Sequence, residues 1–246
     1  MKNNTEFITQ KPIAHRGLWN EEVAENSLIA FSRAIDAEYP IELDVQITAD
    51  GKLVIFHDWS LDRVTSGNGK ISEQKYDDIK DFTLGKSNQK ILLFEDILNL
   101  VNGEVALIIE IKSKSHFDYK ICEKVYDLLK KYNGNYAISS FNPFVIRWFA
   151  KNAPEIVRGQ NFTDFSYKNF VMAFCKRLFF YFSWIMSNNK PDFFACGASM
   201  LPKSFLVQIA RNKKIPVLAY AITDSHEYDR IKSVIDNNFF DNKPFT

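Results

Sequence analysis

Two histidines, an arginine, a lysine and three carboxylates end or interrupt apolar runs in the first half of this 246-residue chain. His15-Arg16-Gly17 follows Pro12-Ile13-Ala14, and Glu42 and Asp44 alternate with Ile41, Leu43 and Val45. His57 closes Leu53-Val54-Ile55-Phe56, and Glu110 and Lys112 alternate with Ile109 and Ile111. Histidine moves protons near neutral pH. Arginine forks onto two oxygens of a phosphate, and lysine meets one as a point charge. In a strand, residues two apart share a face, so Glu42 and Asp44 project together, as do Glu110 and Lys112. Carboxylates held that close repel one another unless something neutralises them. A hard cation with oxygen ligands does so, which suits Mg2+, Ca2+ or Mn2+. The set fits a phosphodiester. Cationic groups would offset charge developing on the phosphoryl oxygens, while one histidine takes a proton from the attacking group and the other gives one to the leaving oxygen. Each motif alone has a plainer reading: a surface loop for His-Arg-Gly, surface acids on an exposed strand, a structural histidine, an ion pair for Glu110 and Lys112.

Such groups meet only if several strand ends converge. Short apolar runs at 12–15, 41–47, 105–112, 136–141, 157–160, 192–196, 217–222 and 238–241 read as strands. Helical patterns lie between them at 27–38, 94–101, 119–132, 144–153, 170–186, 204–213 and 226–236. Asn26 and Ser27 fit a cap for the first helix, and Asn142-Pro143 fits the start of the fourth. This alternation predicts an α/β fold with parallel strands and crossover helices, and eight strands favour a closed (β/α)8 barrel. In such a barrel, catalytic groups sit at the C-terminal strand ends. Residues 53–57 break the order. They follow 41–47 through Asp50-Gly51, a hairpin signal, and residues 58–90 are polar and turn-rich. They read as a lid or small subdomain inserted after the second strand of one domain spanning 1–246.

Composition narrows the function. Lysine plus arginine number 31 and aspartate plus glutamate 30, a net charge of +1 that argues against a dedicated nucleic-acid binder. Apolar residues at 46% are enough for a sizeable core. Cys122, Cys175 and Cys196 lack metal-ligand or redox spacing. The start MKNNTEFITQ has no apolar core of signal-peptide length, so the expectation is a cytoplasmic protein. Residues 170–186, FVMAFCKRLFFYFSWIM, are short for a membrane span and carry Lys176 and Arg177 in their middle. They read as a helix packed on the domain, with a membrane-surface or partner-binding helix as the alternative.

The run HRG…ENS…F…A…ELDV…T.DG.LVIFHD..LDR.T…G.I, followed by IEIK, resembles the glycerophosphodiester phosphodiesterases. The match is dense over 12–71, returns at 94–112 and loosens beyond. The resemblance implies a TIM barrel with a small insertion after the second strand, and hydrolysis of glycerophosphodiesters to glycerol 3-phosphate and an alcohol. It implies Glu42, Asp44 and Glu110 as ligands of a divalent cation and His15 and His57 as the acid–base pair. It further implies Arg16 and Lys112 as phosphate contacts and Glu25 as a site-lining glutamate. The chain departs from the family pattern at Leu92-Leu93-Phe94-Glu95, at Tyr220-Ala221-Ile222-Thr223, where Tyr220 is the expected wall of a glycerol pocket, and across 237–244. Two other readings stay open: phospholipase D-like action on a lipid phosphodiester at a membrane surface, and a non-catalytic phosphometabolite-binding barrel. Leaving alcohol and oligomeric state are not legible.

Overall fold

A computed structural model describes residues 4–163, 189–202 and 205–245. Nine strands form one sheet: β1 (Ile13–His15), β2 (Ile41–Ile47), β3 (Leu53–Ile55), β4 (Leu107–Ile111), β5 (Tyr136–Ser140), β6 (Val157–Phe162), β7 (Phe193–Gly197), β8 (Val217–Tyr220) and β9 (Asn237–Phe240). All except β3 pair in parallel, and β1 closes the ring by pairing with both β2 and β9. The strand β3 turns back antiparallel on β2, with Val45 opposite Ile55, as the Asp50-Gly51 turn predicts. The result is the closed (β/α)8 barrel read from the sequence. The helices among the described residues are α1 (Leu28–Asp36), α2 (Tyr76–Ile79), α3 (Phe94–Val101), α4 (Lys120–Leu129), α5 (Pro143–Asn152), α6 (Phe205–Lys213) and α7 (Ser225–Ile231). The helix expected over 170–186 lies outside the described residues.

Strand alternation sorts the side chains into two layers. Leu43, Val45, Leu107, Ile109 and Ile111 face outward and pack with Phe31, Phe94, Ile97 and Phe149 of the helices. Ile13, Ile108, Ala137, Val157, Phe193, Leu218 and Phe239 face inward and fill the barrel, with Ile8 packed among them. One residue pair further along, the inward positions turn polar: His15 beside Glu42, and Asp44 beside Glu110 beside Ser139. An apolar plug therefore supports a polar layer at the C-terminal strand ends. Gly159 makes room for the plug, since a Cβ there would lie 2.2 Å from the ring of Phe193.

Local signals behave as their chemistry dictates, with some differences. Ser27 caps α1, its hydroxyl accepting from Ala30 N–H, and Asn142 caps α5 through Phe144 N–H. Asn26 is not a cap. It adopts φ 54°, and its side chain donates to Asp44 at 2.9 Å. The last helix ends at Ile231, short of 236, because Asp236 is tied to β8: its backbone donates to Val217 O and its carboxylate accepts from Val217 N. The insertion is built on a small core of its own, with Val54, Phe56, Leu61, Ile71, Ile79, Leu84 and Ile91 packed together. Among the described residues no helix is long and apolar enough to cross a membrane.

Candidate active site

The polar layer opens into a cavity lined by His15, Arg16, Glu42, His57, Glu110 and Tyr220, with Phe141, Asn161 and Phe239 among its walls. Asp44 and Lys112 join the same cluster by direct contact. Carboxylate oxygens of Glu42, Asp44 and Glu110 lie within 4.8 Å of one another, and all three residues are buried. Lys112 Nζ donates to Glu110 at 2.9 Å and to Asp44 at 3.2 Å. Glu25 does not line this cavity. It stands behind Arg16 and accepts from its guanidinium at 2.8 Å.

Tight backbone shapes the first loop. Arg16 takes φ 61° and Gly17 φ 83°, and a Cβ on Gly17 would meet the carbonyl carbon of Ala30 at 2.8 Å. The turn aims Arg16 N–H at Glu42 (3.1 Å) and sets its Nε 3.6 Å from Asp44. His15 Nε2 lies 3.9 Å from Glu42, while its Nδ1 is 2.9 Å from Asp241. His57 Nδ1 is 2.6 Å from Asp58. Each histidine is thus oriented by a carboxylate on one ring nitrogen, which leaves the other for the cavity.

The electrostatics reveal an excess of negative charge. Burial, with Asp44 and Glu110 alongside, pushes the Glu42 carboxyl up to about 8. Burial works the same way on Asp44, but Lys112, Arg16 and His57 outweigh it and hold Asp44 well below the usual carboxylate range. Burial would lower the Lys112 ammonium, yet Asp44 and Glu110 raise it. A hard cation shared by the three acids would keep all of them ionised. The site has further unspent polarity: Arg16 Nε, Asn26 Oδ1 and Asn161 Oδ1 are buried without a hydrogen-bond partner. Three buried oxygen donors with orphaned polar atoms around them fit a divalent cation and an anionic ligand.

Several residues here take site roles that the sequence motifs did not assign to them. Asn26 holds Asp44, Asn161 donates to Glu110 at 3.1 Å, and Asp241 holds His15. Asp241 falls in the stretch 237–244, where the chain departs from the family pattern. Trp59 stacks its ring 4.3 Å from Lys114 Nζ and 6.0 Å from Lys112 Nζ, at the rim on the Lys112 side.

The model of the glycerophosphoryl diester phosphodiesterase family matches residues 15–237. The chain belongs to that family. Its curated relatives include a glycerophosphodiester phosphodiesterase of Caldanaerobacter subterraneus, 36% identical over 157 residues, or 60% of this chain and 64% of the relative. Another, from Bacillus altitudinis, is 33% identical over 59% of this chain and 64% of its own length. In both, the matched region spans less than two thirds of the relative. Solved structures agree on the fold of this family member. An Oleispira antarctica phosphodiesterase, solved in complex with the product sn-glycerol-3-phosphate, superposes with TM-score 0.77 at 23% identity over 96% of this chain and 94% of that one. The glycerophosphodiester phosphodiesterase of Thermotoga maritima gives 0.71 at 24% identity, over 94% and 93%.

Proposed function

We propose that this chain hydrolyses glycerophosphodiesters to glycerol 3-phosphate and an alcohol. The observation that carries the reading is the shared cavity: His15, His57 and Arg16 open onto the same space as the buried Glu42–Asp44–Glu110 cluster. Membership of the family and the fold shared with a phosphodiesterase solved with sn-glycerol-3-phosphate support it.

Glu42, Asp44 and Glu110 would hold a divalent cation, Mg2+ or Ca2+ in the first place and Mn2+ as a third choice. When bound, the cation neutralises charge on the phosphoryl oxygens. Arg16 and Lys112 bind those oxygens and set the phosphorus between the histidines. One of His15 and His57 accepts the proton of the attacking hydroxyl or water, and the other protonates the departing alkoxide. Asp241 and Asp58 hold the two rings at Nδ1, which leaves Nε2 of one to accept a proton and Nε2–H of the other, as imidazolium, to deliver one. Tyr220, Phe141 and Phe239 form the wall for the glycerol carbons, and Tyr220 is braced by donating its hydroxyl to Phe162 O at 2.7 Å. Cys122 and Cys196 are free and buried, which suits the reducing cytoplasm as the proposed compartment.

The test is an assay of purified protein on glycerophosphocholine and glycerophosphoethanolamine, with each cation and with chelator. The reading expects cation-dependent release of glycerol 3-phosphate. Absence of turnover on every glycerophosphodiester removes it. A lipid phosphodiester is the second substrate class, motivated by the aromatic run 170–186 with Lys176 and Arg177 in its middle. Vesicle flotation separates the two: a protein that stays with the soluble fraction leaves only the small substrate.

A further inference from the structure

Arg63 belongs to the insertion, outside the barrel, yet its guanidinium reaches two loops of the site. Its Nε and Nη2 edge grips both oxygens of Asp58, with Nη2 at 3.1 Å from Oδ1. Its Nη1 and Nη2 edge grips both oxygens of Glu25, at 3.1 Å and 2.6 Å. Each of those carboxylates has a second partner at the cavity. Asp58 Oδ1 meets His57 Nδ1 at 2.6 Å, and Glu25 Oε1 accepts from Arg16 Nη1 at 2.8 Å. One side chain therefore stands a single residue away from both a candidate proton-transfer group and a candidate phosphate contact.

We propose that Arg63 is a positioning residue that sets His57 through Asp58 and Arg16 through Glu25 at the same time. The inference rests on the hydrolase reading above. Because Asp58 offers a carboxylate, His57 donates its Nδ1–H to it, and Nε2 is left with its lone pair for the cavity. Asp58 holds that orientation only while it is itself held, and the fork from Arg63 does this. Glu25 shares its charge between two guanidinium groups. Without Arg63 its full charge falls on Arg16, which must also attract the phosphate. The insertion supplies the rigidity the fork needs. Leu61 is fully buried in the insertion's core, its N–H donates to Gly69 O, and Thr65 caps the turn onto Leu61 O through both backbone and hydroxyl. On this account residues 58–90 act less as a lid than as the abutment from which Arg63 reaches the site. A lysine carries the same charge but cannot make two bidentate forks.

The test compares Arg63→Ala and Arg63→Lys with wild type on glycerophosphocholine at saturating cation. Arg63→Ala is expected to lower kcat about tenfold to a hundredfold, the usual effect of losing a partner one step from the chemistry, and to raise KM. Added guanidinium should restore part of kcat in Arg63→Ala and leave wild type unchanged. Arg63→Lys should fold as wild type does yet resemble Arg63→Ala in both parameters. A lysine variant within about twofold of wild type in kcat and KM would overturn the proposal, as would an alanine variant with unaltered kinetics. A second readout is independent of turnover: imidazole nitrogen NMR of the metal-free protein. It should show His57 protonated on Nδ1 in wild type and a mixture of tautomers in Arg63→Lys. An unchanged tautomer overturns positioning, whereas absence of activity in wild type overturns only the hydrolase reading.

Discussion

Asp241 Oδ1 lies 2.9 Å from His15 Nδ1, although the two residues stand 226 positions apart. They meet because β9 pairs with β1 to close the barrel, with Ala14 opposite Phe240. Burial alone would lower the His15 pKa. The Asp241 hydrogen bond and the nearby Glu42 charge outweigh it, and the net shift is upward. Asp241→Asn removes the charge while keeping the shape. The expected outcome is a His15 pKa that falls relative to wild type in an NMR titration of the metal-free protein, with kcat reduced about tenfold or more and KM little changed. A His15 titration that does not move would show that Asp241 has no hold on the ring.

Lys112 is the ammonium that keeps the acid cluster together, with 7% of its side chain exposed. Lys112→Met leaves Asp44 and Glu110 buried beside Glu42 without it. The metal-free variant should lose about 3–5 kcal/mol of stability, the cost of stripping one partner from a buried ionic cluster. A divalent cation should then restore more of the thermal stability in the variant than it adds to wild type, because ligand binding to the folded state raises stability by mass action. Equal cation-induced shifts in the two proteins would contradict the shared site.

The barrel plug gives a prediction about stability alone. Gly159→Ala places a methyl group 2.2 Å from the fully buried Phe193 ring. Overpacking of this kind costs about 1–3 kcal/mol. Denaturant unfolding of the variant should show that loss with an unchanged slope, while cation affinity, which depends on the layer above, stays near the wild-type value.

Much of the fold was legible because it depends on period-two patterns local in sequence. The run Ile41-Glu42-Leu43-Asp44-Val45 both identifies β2 and tells which side chains face the cavity, and the same holds for Glu110 in β4. Boundaries shifted where tertiary contacts intervene. The run 53–57, read as the return of a hairpin from 41–47, is strand only to Ile55, and beyond it Gln46 Nε2 takes up the carbonyls of Phe56 and Asp58. Asn26 carries the composition of a cap, but its left-handed backbone turns the side chain toward Asp44 instead. Asp241 and Asn161 had no local pattern to betray them, because their partners come from barrel closure and from strands far off in sequence. Arg63 was visible as a letter in Leu-Asp-Arg, while its reach to Glu25 exists only through space.

The most direct measurement is release of glycerol 3-phosphate from glycerophosphocholine by wild type, His15→Ala and His57→Ala, each with divalent cation and with chelator. The account predicts turnover by wild type with the cation, loss of it on chelation, and a fall of about a hundredfold or more in either histidine variant, the scale of a missing proton-transfer group. Turnover that survives chelation, or that both histidine variants retain at the wild-type rate, would contradict it.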